Sequence, residues 1–242
     1  MFEPWMTTLA ADFRVLALDT PGYGASDPLP EPPDELQDYV PALEAWRQHV
    51  LGEQACGIYG SATGAQLGIA WALCRPETVA HLFLDNVAHF DDAERESILA
   101  NYFPDLSPRV GGTHLLDAWR MAEQTLQYFP WFATDEAHRI SNHSPSPDEV
   151  HATMMDLLAT GPDWAAAYRA AFRHERAENV QRLSVPTTLF RWEASILLRH
   201  IDRLLGFPMP PQLDVVVTPA PLNLRYAAMT EHLRSTLRAD AN

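Results

Sequence analysis

The chain has 242 residues, 47% of them hydrophobic, which is enough to bury one sizeable core and to carry an inserted subdomain. Acidic residues outnumber basic ones by 32 to 17, and the net charge is −15. That balance excludes the basic surfaces that bind nucleic acids and anionic membranes, so we predict neither partner.

The first predicted elements alternate between strand and helix. A β-rich run at residues 13–19 (FRVLALD) ends at the turn-forming residues TPGYG, and apolar residues at helical spacing follow at 36–51. A second strand is predicted in ACGIYG, a helix in SATGAQLGIAWALC and a third strand in HLFLDNV. Strands that alternate with helices, without hairpin signals, indicate a parallel sheet with helices on both faces.

The pattern changes after about Ala88, and up to Arg182 it contains helical segments with no convincing strand between them. The alternation then returns with the strand VPTTLFRW, the helix ILLRHIDRLLG, the strand LDVVVTP and the helix LRYAAMTEHLRSTLR. We therefore predict an α/β fold with a core formed by residues 1–88 and 183–242 and an all-helical cap inserted at 89–182.

The stretch GIYGSATGAQLG, which joins the second predicted strand to its helix, has the form of a nucleophile elbow. Such a turn holds one side chain above the sheet, and the residues two places before and after it must be small. Gly60 and Gly64 meet that demand around Ala62, and the backbone N–H of Thr63 would face a developing oxyanion at the helix N-terminus. A frame centred on Ser61 would place larger side chains at the crowded positions. The central side chain is therefore a methyl group, which cannot act as a nucleophile.

These segments resemble the α/β-hydrolase superfamily, in the branch that carries a helical cap. VLALDTPGYGASD is similar to the family's fourth strand and following loop, and YGSATGAQLGIAWALCRPETVAHLFLDNV is similar to its elbow, helix and sixth strand. LSVPTTLFRWEASIL is similar to the seventh strand and the loop that usually carries the catalytic acid. The resemblance covers nearly the whole chain and implies a mostly parallel sheet with helices on both faces.

Other residues occupy the positions at which this family carries its catalytic triad. The family has Ser, Asp or Cys at the elbow, where this chain has Ala62, and Thr63 matches the residue whose N–H binds the oxyanion. The usual acid position falls on Ser195, with Glu193 two residues earlier. The resemblance therefore implies Ala62, Thr63, Glu193 and Ser195 as the candidate catalytic positions, without a complete triad.

The family's histidine belongs in the loop after the last strand, here TPAPLNLRY, which contains no histidine and offers Arg225 instead. His232, in the final helix, is interpreted as a surface residue. The family's first strands and their His-Gly turn are also missing, so we expect an N-terminal truncation of about 30 residues or more, with Met1 an internal methionine. Without the third strand of the family, the first two strands of this chain must pair directly or leave open edges.

Two classes of function follow from the resemblance. The first is a hydrolase of small, fairly apolar molecules, with alanine at the nucleophile position. The alternative is a non-hydrolytic relative (the superfamily includes lyases, cofactor-free oxygenases and ligand receptors) or an inactive pseudoenzyme that binds a small molecule or a partner. Both imply a small-molecule ligand or substrate. They leave open whether the chain is an enzyme, and its oligomeric state.

The remaining sequence features indicate a soluble cytoplasmic protein without a cofactor or metal. The segment MFEPWMTTLAADF has no signal-peptide pattern, and the apolar runs are too short for a membrane span. Cys56 and Cys74 lack C-x-x-C spacing and are expected to be reduced and buried. His138, His143 and His151 match no compact metal motif, and GYGASD does not open a helix as a phosphate-binding loop must.

Overall fold

The computed structural model describes residues 2–161 and 163–239. Residue 162 of the predicted cap and the outermost residues of the predicted core, 1 and 240–242, lie outside the described residues. The strands of the described part are β1 (Cys56–Ser61), β2 (Val79–Asp85), β3 (Thr187–Trp192) and β4 (Leu213–Thr218). Its α-helices are α1 (Glu3–Leu9), α2 (Val40–Leu51), α3 (Thr63–Cys74), α4 (Asp92–Asn101), α5 (Thr113–Thr125), α6 (Pro147–Ala159), α7 (Ala166–His174), α8 (Ala177–Gln181), α9 (Leu198–Leu205) and α10 (Leu222–Ala239).

The four strands form one parallel sheet in the order β1-β2-β3-β4. β2 and β3 lie in the centre and most of their residues are buried, as expected of strands covered on both faces. The predicted α/β class is therefore confirmed, and so are the strands predicted in ACGIYG, HLFLDNV, VPTTLFRW and LDVVVTP.

The chain divides into two compact units. The sheet unit comprises Met1–Leu18, Leu36–His89 and His174–Asn242, and the helical unit comprises Asp19–Glu35 and Phe90–Arg173. The domain boundaries inferred from the sequence, with a cap at 89–182, stay a prediction.

Helices pack on both faces of the sheet because neighbouring side chains of a strand point in opposite directions. On one face, α3 lies so close to β2 that a β-carbon on Gly68 would come within 3.0 Å of Leu82 Cδ1. The next residue, Phe83, faces the other side, where α1 and α10 bury an apolar cluster with β2 and β3. In that cluster Trp5 Nε1 donates a hydrogen bond of 2.9 Å to Thr230 Oγ1, so the indole is both buried and satisfied.

The predicted strand at residues 13–19 is wrong, because no described strand pairs with this segment. A strand requires a hydrogen-bonded neighbour, and β1 pairs with β2 alone among the described residues, so its other edge is open. Phe13 and Val15 instead pack their side chains against the apolar cluster, while Leu16 is 38% exposed.

Two helices of the helical unit, α4 and α6, begin with side-chain caps. Asp91 and Glu94 form a capping box at α4, and Ser146 and Glu149 form another at α6. Apart from an isolated antiparallel bridge between residues 128 and 139, the described part of this unit contains no β-structure. Across residues 2–161 and 163–239, every helix is too short or too polar to cross a bilayer.

Both cysteines are free, but the expectation that they are buried is wrong for Cys74, which is exposed at the end of α3. Cys56 is half-buried at the start of β1, and burial raises the pKa of its thiol. Two histidines of the helical unit contact carboxylates rather than each other: His138 contacts Asp135, and His143 contacts Glu149.

Candidate functional site

The elbow predicted from the sequence is present, and the chain turns from β1 into α3 at Ala62. Ala62 has φ 50° and ψ −117°, a conformation that residues with a side chain rarely adopt. Its N–H donates to the carbonyl oxygen of Asp85 at 3.0 Å, and its own carbonyl oxygen accepts from the N–H groups of Ala65 and Gln66. Such strain costs on the order of 1–3 kcal/mol and persists only where surrounding contacts enforce it.

The two glycines of the elbow have different steric roles. Gly60 faces the backbone of α3 so closely that no side chain fits there, whereas a β-carbon on Gly64 would meet no atom within 4 Å. Steric crowding therefore requires a small residue at position 60, before Ala62, but not at position 64, after it.

The N-terminus of α3 presents unpaired donors beside the Ala62 methyl group. The N–H groups of Thr63 and Gly64 donate no hydrogen bond to any described residue, and no side chain caps the helix. Donors at the start of a 12-residue helix also carry the partial positive charge of the helix dipole. This position can bind a carbonyl oxygen or another electron-rich oxygen.

Ser195, the predicted acid position, lies in a hydroxyl–amide network at the carboxyl ends of three strands. Its Oγ donates to Asn86 Oδ1 at 2.8 Å and accepts from the N–H of Leu197 at 3.1 Å. Asn86 Nδ2 in turn donates to Ser61 Oγ at 3.3 Å, and Asn86 has φ 52°, a left-handed conformation that asparagine tolerates. Ser61 and Ser195, which flank Asn86, thus act as hydrogen-bonding partners within the scaffold and supply no carboxylate.

Glu193 lies apart from this network. Its N–H donates to the carbonyl oxygen of Thr218 at 3.2 Å, which extends the pairing of β3 and β4 by one residue. Its side chain is exposed and makes no hydrogen bond with a described residue. The structure therefore brings Ala62, Thr63 and Ser195 to the same end of the sheet and leaves the Glu193 carboxylate in solvent.

Arg225, which lies in the segment where the resemblance places the family's histidine, forms a buried ion pair with Asp85 at the end of β2. The side chains of Asp85 and Arg225 are 2% and 6% exposed. Tyr59 donates its hydroxyl proton to Asp85 Oδ2 at 2.8 Å, and the Arg225 guanidinium lies 4.4 Å from the centre of the Trp192 ring. Burial, followed by the charge of Asp85, raises the pKa of Tyr59. Arg225 is therefore a paired cation at this end of the sheet and does not replace the family's histidine as a base.

The interpretation of His232 as a surface residue is wrong, because its ring is half-buried on α10 and bonded to the sheet. Its Nε2 lies 3.0 Å from Thr188 Oγ1, and His81 Nε2 lies 2.9 Å from the same hydroxyl. Since one hydroxyl donates a single proton, it donates to one ring and accepts from the other. Desolvation lowers the pKa of His232.

The histidine that lies beside the elbow helix is His174, which sequence reasoning did not single out. Its Nδ1 is 2.9 Å from Oε1 of Gln66, one turn beyond Ala62 on α3. Burial, with a smaller contribution from Arg182, lowers the pKa of His174 to about 4. No local sequence signal marks this pair, because its two residues lie 108 positions apart.

The chain shares its fold with known hydrolases. The sequence profile of a family described as alpha/beta hydrolase fold matches residues 1–183. A thermophilic esterase from Thermogutta terrifontis with malate bound is similar at 18% identity and a TM-score of 0.65, over 100% of this chain and 85% of that one. An alpha/beta hydrolase from Sphaerobacter thermophilus is similar at 20% identity and a TM-score of 0.59, over 96% and 85% of the two chains.

A third structure is similar over 100% of this chain and 84% of its own, at 16% identity and a TM-score of 0.58. It is a serine-to-alanine mutant of a meta-cleavage product hydrolase from Pseudomonas fluorescens, complexed with acetates. No curated protein sequence matches the chain.

Proposed function

This chain belongs to the alpha/beta hydrolase fold family, and from that premise we propose that it binds a small, fairly apolar carbonyl compound at the elbow without forming a covalent intermediate. The observation that supports this function is that the methyl group of Ala62 lies next to the unpaired N–H of Thr63. The strained turn and its open donor are kept, while the apex carries a methyl group that cannot attack a carbonyl carbon.

Serine-hydrolase chemistry also needs a base aligned with the nucleophile, and the segment after β4, where the resemblance places the family's histidine, contains no histidine. The Ser195 hydroxyl is used by Asn86 and Leu197, and Arg225 is held by Asp85. A serine or threonine hydroxyl without a base is a weak nucleophile. We therefore assign the site a binding role, in the manner of a pseudoenzyme or a non-hydrolytic relative.

The donor is tested directly by replacing the amide at position 63 with a backbone ester, by incorporation of the α-hydroxy analogue of threonine. This removes the N–H of Thr63 and keeps its side chain. Acetophenone binding, followed by ligand-observed NMR, is expected to weaken about 2-fold to 10-fold, since a net hydrogen bond contributes about 0.5–1.5 kcal/mol. The matched control carries threonine at the same suppressed codon, and thermal melts of both check folding.

Hydrolysis is tested on the same preparations with p-nitrophenyl acetate and a fluorophosphonate label. The unmodified chain is expected to give neither multiple turnover nor stoichiometric labelling. Turnover well above the buffer rate would instead favour the first class, a hydrolase that uses a nucleophile other than the residue at the elbow.

A further inference from the structure

His174 is a buried polar side chain whose ring has one occupied and one open nitrogen. The residue is 8% exposed, and its Nδ1 lies 2.9 Å from Gln66 Oε1. An amide oxygen can only accept, so Nδ1 carries the proton that joins the two side chains. No described residue donates to Nε2, which is therefore left as a bare acceptor.

Two sets of contacts fix the position of His174: one with α3 and one with the segment that follows β2. The N–H of Gln66 donates to the carbonyl oxygen of Ala62 at 3.1 Å, so Gln66 lies one helical turn after the elbow. Helical side chains lean toward the N-terminus, which brings the Gln66 amide, and with it the His174 ring, toward the Thr63 end of α3.

The segment that follows His174 is tied to the carboxyl end of β2. Glu175 Oε1 accepts from the N–H of Ala88 at 2.9 Å, and His89 Nδ1 accepts from the N–H of Ala177 at 3.2 Å. These bonds hold His174 at the end of the sheet where the elbow lies.

The charge state of the ring follows from its surroundings. Burial and the charge of Arg182 lower the pKa of His174 to about 4, so the imidazole is neutral at pH 7. A neutral ring that donates through Nδ1 can only accept at Nε2. It would attract a hydroxyl or N–H proton and would repel the lone pairs of a carboxylate.

We propose that His174 determines ligand specificity at the elbow by accepting a proton from a ligand hydroxyl or N–H at Nε2, while the N–H of Thr63 binds the carbonyl oxygen of the same ligand. The ligand class is then a neutral carbonyl compound that carries a hydroxyl or amide proton near the carbonyl group. This specificity rests on the binding function proposed above.

The test compares three probes that share a phenyl ring: α-hydroxyacetophenone, acetophenone, which lacks the hydroxyl group, and benzoate. At pH 7 the wild-type chain is expected to bind the hydroxyketone about 5-fold more tightly than acetophenone, and benzoate more weakly than either. The variant His174→Leu is expected to abolish the preference for the hydroxyketone while still binding acetophenone. The control His232→Gln, which changes a histidine outside the site, is expected to keep the wild-type ratio.

The variant Gln66→Glu is designed to convert Nε2 of His174 from a hydrogen-bond acceptor into a donor while keeping the histidine. A carboxylate beside Nδ1 favours the protonated ring, so Nε2 becomes a donor. At pH 5.5 this variant is expected to bind benzoate more tightly than the wild-type chain does, and to lose its preference for the hydroxyketone.

Two-bond ¹H–¹⁵N NMR of the wild-type chain measures the tautomeric state of the His174 ring directly. The measurement does not require any variant to fold. We expect the tautomer with the proton on Nδ1, and a shift of the Nε2 resonance when α-hydroxyacetophenone binds but not when acetophenone binds. A proton on Nε2, or equal binding of the two ketones, would overturn the role of His174 and leave the binding function standing. If neither ketone binds, both the function and its specificity are wrong.

Discussion

A β-carbon placed on Gly60 would lie 2.3 Å from the carbonyl oxygen of Gly64, so the strand before the elbow and the helix after it are in backbone contact. We predict that Gly60→Ala loses several kcal/mol of unfolding free energy or prevents folding, because the obstructing atoms are backbone and cannot rotate away. Gly64→Ala is the matched control, since a β-carbon at Gly64 would meet nothing within 4 Å. Urea denaturation of both variants measures the difference, and equal losses would contradict this reading of the turn.

The conformation of Ala62 predicts a stabilising substitution. Ala62 has φ 50° and ψ −117°, where glycine fits without strain. We expect Ala62→Gly to raise the unfolding free energy by about 1 kcal/mol, because relief of about 1–3 kcal/mol of strain exceeds the added entropy of the unfolded chain. Ala65→Gly, in the middle of α3, should instead destabilise the protein by about 0.5–1 kcal/mol. A lower melting temperature for Ala62→Gly would show that the turn is unstrained.

Restoring a hydroxyl at the elbow should not restore hydrolysis. In a known serine protease, loss of the nucleophile or the base alone costs about as much as loss of the whole triad, roughly a million-fold in turnover. We therefore expect Ala62→Ser to hydrolyse p-nitrophenyl acetate no faster than the wild-type chain. Rapid, stoichiometric labelling of Ala62→Ser by a fluorophosphonate would reveal a base, and the neutral ring of His174 would then be the first residue to replace.

The buried pair of Asp85 and Arg225 predicts a strongly coupled stability effect. Arg225→Met leaves the Asp85 carboxylate buried without its cation, and we expect a loss of about 3–5 kcal/mol. The double variant Asp85→Asn/Arg225→Met removes both charges and should recover most of that loss. Tyr59→Phe deletes only the 2.8 Å hydrogen bond to Asp85 and should cost about 1 kcal/mol. Additive losses in the double variant would argue against a coupled pair.

The lowered pKa of His174 predicts a loss of stability in mild acid. Its native pKa of about 4 lies below the ordinary value of 6.5, so between these values the unfolded chain binds a proton that the folded chain does not. Unfolding free energy therefore falls as the pH drops from about 6.5 to about 4, by up to about 3 kcal/mol from this residue. His232, whose pKa is also lowered, adds to the same trend.

The variant His174→Gln is expected to flatten the pH dependence of stability between pH 6.5 and 4, measured by urea denaturation. The exposed His151 provides the matched control, and His151→Gln should leave the slope unchanged. An unchanged slope in His174→Gln would mean that the ring titrates normally in the folded protein.

Local patterns of the sequence were sufficient to predict four strands, the parallel sheet and the elbow. An apolar run with β-branched and aromatic residues indicates a strand buried between two helical layers, and glycines on either side of a turn indicate a crowded backbone. Both signals can be recognised from the sequence because each lies within a few consecutive residues. Ala62 and Thr63 could be placed at the strand–helix junction for the same reason. The run at residues 13–19 shows the limit, since a strand exists only where another strand pairs with it.

The chemistry of the sheet end was decided by the tertiary structure alone. Arg225 meets Asp85 across 140 positions, and His174 meets Gln66 across 108, so neither pair leaves a spacing that could be read along the chain. Folding determines which of the charged and polar groups are buried, and burial determines whether each must be paired, neutral or left open to a ligand. The sequence alone thus identified the turn that lacks a nucleophile, while the packing of distant segments decided that a paired arginine closes this end of the sheet and a neutral histidine stands beside the elbow helix.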